Sequence, residues 1–179
     1  MLELLFKAVE GWDQKKEEFV LIDEKIIKME HSLYSISKWE SKWKKSFISG
    51  KEKTQEEIFD YFKCMLLEPI DDIYFDLMSS DNIKTILDYI NDPYTATTIN
   101  QTEGNRPSRE IITAEIVYYW MVALQIPFEC QYWNFNKLMT LIQVCNIKNQ
   151  PPKKMSRSQA LAQNKSLNAA RRAARHSKG

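Results

Sequence analysis

Charge is segregated along this chain. All 24 acidic residues lie within residues 1–150, and 151–179 contain none. Residues 1–150 also hold 17 of the 25 lysines and arginines, so they carry a net −7. Residues 151–179 hold the other 8 and carry +8. The near-neutral total of +1 is two opposite segments joined at Gln150-Pro151-Pro152. A 29-residue segment rich in cations and poor in large apolar side chains cannot bury enough surface to form a core. The fold therefore comes from 1–150, an acidic globular domain, and 151–179 is a basic extension.

Within 1–150 the pattern begins as strand and turns to helix. Leu2–Val9 alternates imperfectly, Gly11–Glu17 is polar and turn-like, and Glu18–Ile22 is apolar enough to return as a strand. These are expected to pair as a hairpin, with Ile26–Met29 as a third short strand. Ser32 then precedes Leu33, Ile36, Trp39 and Trp43 at helical spacing. Thr54 and Glu57 make a capping box before Ile58, Phe59, Phe62, Met65 and Leu66. Ser80 is read as the cap of a helix through Ile83, Ile86, Leu87 and Ile90, stopped at Asn91-Asp92-Pro93. After a polar loop over 92–108, Ser108 precedes what reads as the longest and most apolar helix, from Ile111 to Ala123, ended by Pro127. A last helix over about 129–148 carries Leu138, Leu141, Ile142 and Cys145 on one stripe. The expected class is α+β and helix-dominated: a small N-terminal antiparallel hairpin or sheet, about five helices, and a basic C-terminal helical tail.

Composition removes several chemistries. The four glycines stand apart at Gly11, Gly50, Gly104 and Gly179, so no glycine-rich phosphate loop can be built. His31 and His176 are the only histidines, and neither makes a short metal-ligand spacing with Cys64, Cys130 or Cys145. Three widely spaced cysteines are not a disulfide framework and read as apolar filler in a reducing compartment. The start of the chain lacks a signal-peptide pattern, and Ile111–Phe128 is interrupted by Glu115, so a soluble protein without a membrane span is expected. No cofactor and no catalytic residue is expected.

Four features merit weighing. Glu56/Glu57 and Asp71/Asp72 are paired carboxylates, but the first pair sits where acids suit a helix N-terminus and the second in a loop beside Pro69. Glu115 lies among Ile111, Ile112 and Tyr119, either as a desolvated acid or at a solvated edge. A serine nucleophile would have to use His31 as its base. Lys38–Lys45 interleaves Trp39 and Trp43 with lysines, as single-strand binders do, yet the same spacing suits two buried tryptophans on an amphipathic helix. The strongest local signal is the tail. Lys153, Lys154, Arg157, Lys165, Arg171, Arg172 and Arg175 are the candidate partner-binding residues, on an alanine-rich run that Ser156 can cap. That run is expected to be helical against a partner, an acidic protein surface (this chain's own body or a neighbouring copy included) or nucleic acid, the alternative being a solubilising extension.

Four segments carry a resemblance: Ser35–Trp43, Tyr118–Cys130, Leu138–Asn146 and Leu167–Gly179. Together they resemble small tailed-bacteriophage proteins encoded among the virion morphogenesis genes, in particular the tail assembly chaperones. The resemblance implies a protein without catalytic residues or cofactor, acting as repeated copies that bind other tail proteins, the tape-measure protein foremost. It implies a place in the host cytoplasm or in the virion. A head–tail connector, a tail-completion component and a nucleic-acid binder using the tail are the alternatives.

Overall fold

The computed structural model describes residues 1–13, 17–49, 52–98, 111–150 and 157–175. The chain is α+β, with four strands at its N-terminus followed by helices. It divides into two compact units, Met1–Asn146 and Ile147–Gly179.

The strands are β1 (Leu2–Phe6), β2 (Val9–Asp13), β3 (Glu18–Ile22) and β4 (Lys25–Met29). They form two antiparallel pairs, β1 with β4 and β2 with β3. The first strand therefore pairs with Lys25–Met29 and not with Glu18–Ile22, and Gly11–Asp13, expected as the start of a turn, belong to the strand Val9–Asp13. One register carries through both pairs. Continuing Phe6↔Lys25 across the break sets Lys7 against Glu24 and Ala8 against Asp23, and then reaches Val9↔Ile22. The element is thus a single long hairpin ribbon with an interruption halfway. Leu4, Phe6, Ile27 and Met29 point to the core from its first half, and Ile22 from its second. Gly11 is buried in the second half because Leu77 packs where its side chain would be: a Cβ there would lie 2.4 Å from Leu77 Cδ1.

The helices of the first unit begin with α1 (Leu33–Trp43), α2 (Gln55–Met65), the single turn α3 (Ile73–Asp76) and α4 (Ser80–Asn91). α5 (Ala114–Ala123), a 3-10 turn over Phe128–Tyr132 and α6 (Phe135–Asn149) follow, with the end of α6 falling in the second unit. The predicted capping box of Thr54 with Glu57 forms, and Ser32 caps α1 as expected, there in a box with Ser35. Three boundaries differ from expectation. Ser79, not Ser80, caps α4, because its hydroxyl accepts from Asn82 N at 3.2 Å. α5 starts at Ala114, so Ile111 and Ile112 precede it, and its ten residues make it shorter than α6. Ser108 lies outside the described residues. Residues 128–132 form a 3-10 turn separate from α6, and α3 was not foreseen.

The core of this unit gathers Leu33, Ile36 and Trp39 of α1 with Tyr61, Phe62 and Met65 of α2. Ile86, Val117, Met121, Leu138 and Ile142 close it from the later helices. Along α1, α2, α5 and α6 these residues recur at spacings of three or four, which is why these sequences are helices. Full burial of one such side chain contributes roughly 2 kcal/mol. The second unit holds α7, Arg157–Ala174.

Candidate functional site

The tail residues divide between described and undescribed chain. Lys153 and Lys154 lie outside the described residues, whereas Arg157, Lys165, Arg171 and Arg172 are on α7. Arg175 extends its last turn, its amide donating to Arg171 O at 3.1 Å. On a helix of 3.6 residues per turn these five cations fall within about 120° of arc and span about 27 Å. Leu161 sits inside that arc and is 62% exposed. α7 has no buried side chain and no acid. Its alanines make the helix, and its last-turn arginines suit the carbonyl end of the dipole.

The interleaved tryptophans and lysines of α1 are spent on packing. Trp39 is 1% exposed and its indole N–H donates to Glu57 O at 2.8 Å. Trp43 donates to Asp60 Oδ2 at 2.8 Å, and Lys42 pairs with the other oxygen of that carboxylate. Lys45 pairs with Glu57 Oε1 at 2.5 Å. Glu40 is buried and joins two segments: Oε1 accepts from Phe47 N at 2.6 Å and Oε2 from Ala114 N at 2.7 Å. Trp39 is closed off from solvent and Trp43 is half-buried.

The other candidates resolve in the same direction. Glu57 completes the cap of α2, and the Lys45 ammonium, with the Thr54 amide, holds its carboxyl below the usual range. Asp72 pairs with Lys63 at 2.7 Å, and Asp71 Oδ1 accepts from Ile73 N at the start of α3. Glu115 is exposed in the first turn of α5, turned away from buried Ala114, Val117 and Met121. Cys130 is buried, and Cys64 and Cys145 are half-buried, all as free thiols. His31 does meet a hydroxyl, but that of Tyr61, 2.5 Å from Nδ1, with Ser35 Oγ 3.3 Å from the same oxygen. All three are almost fully buried. Burial lowers the His31 imidazole to about 4 and raises the Tyr61 phenol, so both are neutral and the ring's tautomer sets which of them donates. The trio ties α1 to α2 inside the core.

A cavity of about 420 Å3 opens between Phe47, Ile58, Tyr61, Phe62, Leu87 and Ile90, with Glu52 and Lys53 on its wall. Lys53 also borders a neighbouring cavity of about 490 Å3 that includes Trp39 and Ser49. Its Nζ donates to Phe47 O at 3.0 Å and lies 4.2 Å from the Phe47 ring centre, and burial lowers its pKa. Among the described residues no three His, Cys, Asp or Glu side chains converge as metal ligands, and no helix is long and apolar enough to cross a membrane.

Two surface features were missed in the sequence. The outer face of the hairpin exposes Leu5 beside Ile26, and Trp12 beside Phe19, with Leu21 next to them. The Trp12 and Phe19 rings meet edge to face at 5.1 Å. The signal was present in strands with apolar residues at both parities. The second feature is a run of acids. Residues 68–92 hold seven acids and one lysine, nearly all of the body's net charge, and all seven acids are exposed. The run spans a loop, α3 and α4, which hides it from an element-by-element reading. Comparison of the chain with family models, curated proteins and solved structures finds no match.

Proposed function

We propose that this chain is a non-enzymatic assembly factor of the tail assembly chaperone kind, binding other phage tail proteins, the tape-measure protein first among them. The observation that supports this reading is α7: a helix whose four cations, with Arg175 just after it, share one side, with no acid and no buried side chain. Such a helix needs an acidic partner surface to repay its ordering. The exposed apolar face of the hairpin offers a second place for a client to be held by contact alone. The factor works in the host cytoplasm while tails assemble.

Co-expression with the tape-measure protein and affinity capture tests this. The full chain is expected to retain the client and a chain lacking 151–179 to retain less. No retention by either form refutes the proposal. Proteomics of purified particles separates an assembly factor, absent from them, from a connector or completion protein, present at fixed copy number.

A second reading has its own support. The roughly 27 Å cationic face of α7 can follow a phosphate backbone. A retardation assay at low and high salt decides it: no shift at low salt removes nucleic acid as the partner.

A further inference from the structure

We propose that the basic face of α7 docks on a second copy of this chain, against the acid-rich segment 68–92. This names the partner of the helix discussed above and so rests on α7 being a protein-binding element. It does not depend on which client the assembly carries.

Charge complementarity carries the proposal. The extension holds eight cations and no acid, and 68–92 hold seven acids and one lysine. The two segments are the opposite extremes of one sequence, so any two copies bring a matched pair together. Spacing adds register. Asp81 and Asp88 are seven residues apart on α4, and Lys165 and Arg172 are seven apart on α7. Each pair is two turns apart on one face, about 10.5 Å along the axis. Two carboxylates can therefore face two cations across a pair of packed helices. Neither the Asp81 nor the Asp88 carboxylate has a hydrogen bond or ion pair among the described residues. Both side chains are exposed. On α7 an apolar contact is available beside the charges, from Leu161.

A second copy suits these features better than the other occupants. Nucleic acid would leave the acidic segment uncompensated and would meet a body of net −7. Docking within one chain predicts no rescue when the two charge-swapped variants are mixed, so experiment separates it from a second copy. A contact between two different surfaces of identical chains is heterologous. It builds a ring or a row of copies unless two chains exchange helices in a reciprocal two-fold pair, and a row suits a long client.

The experiment is a charge swap on the full chain, followed by sedimentation of the protein alone. Wild type is expected to associate at about 50 mM salt and to dissociate at about 500 mM. K165E/R172E and D81K/D88K are each expected to weaken association at least about tenfold, because each sets like charges face to face. Mixing the two variants restores opposite charges between chains, so association returns in the mixture. Far-UV circular dichroism confirms the helices of each variant, and D81N/D88N is a milder substitute if the lysine variant misfolds. Three results overturn the proposal: wild type monomeric at low salt, no rescue on mixing, or association that D81K/D88K leaves unchanged. Rescue only when all four substitutions share one chain would place the contact within a chain. A client that still binds a monomeric protein would refute the copy-to-copy contact and leave the chaperone reading standing.

Discussion

His31 enters the core neutral, and this sets how acid acts on the fold. Its pKa falls from the ordinary 6.5 to about 4 because burial penalises the imidazolium. Between those values the unfolded chain binds a proton that the folded chain refuses. The resulting stability is present above pH 6.5, and it drains away as pH falls toward 4. The loss has an upper bound of about 3 kcal/mol. Urea midpoints at pH 7, 5.5 and 4.5 should show this slope in wild type and a shallower one in His31→Gln, and equal slopes would exclude His31 as the source. Glu40 is the second residue to test. Both its oxygens accept backbone amides from separate segments, Phe47 and Ala114. Glu40→Gln turns a donor toward one of those amides and should cost about 2 kcal/mol by chemical denaturation. A loss below about 0.5 kcal/mol would show that water replaces the contact easily.

The hairpin is the element where local pattern and tertiary structure part. Leu2–Val9 and Glu18–Ile22 look like partners because both are apolar and a polar stretch separates them. The real pairing is decided by the interruption at Lys7-Ala8 and Asp23-Glu24, which lets both halves turn core residues inward. No period-2 pattern announces such a break. Helices fared better where a cap is written in side chains, as at Ser32 and Thr54, since the signal is local and chemical. They fared worse where a neighbour decides. α5 starts late because Glu40 takes the Ala114 amide, 74 residues away in sequence. Gly11 belongs to the same class. Its need for a small side chain comes from Leu77, on an element far along the chain. Gly11→Ala should cost about 1–3 kcal/mol, because Leu77 must leave its position. Adding Leu77→Ala should recover part of that cost, and a strictly additive double-mutant cycle would show that the two sites do not meet.

At the scale of the molecule, the division by charge was legible from composition alone, and so was a helical tail. What that tail meets was not legible, because charge and spacing name a chemistry and leave the partner open. The structure narrows the question by showing where side chains are already engaged. The tryptophans and lysines of α1 are bound into the body, and the acids that remain exposed concentrate in 68–92. One consequence concerns folding rather than binding. α7 contributes no buried side chain, and every residue of the core cluster precedes Asn146. Removing 151–179 should therefore leave the body's melting temperature within about 2 °C of the full chain, since the described residues of that segment include no buried side chain. The same truncation exposes a net −7 without its +8 counterweight, so copies that associated should now repel. Thermal melts and sedimentation of both forms, at matched low salt, read the two effects separately. A truncated chain that is equally stable but monomeric fits an arm used only between molecules. A truncated chain that melts several degrees lower would mean that the arm also braces the body it leaves.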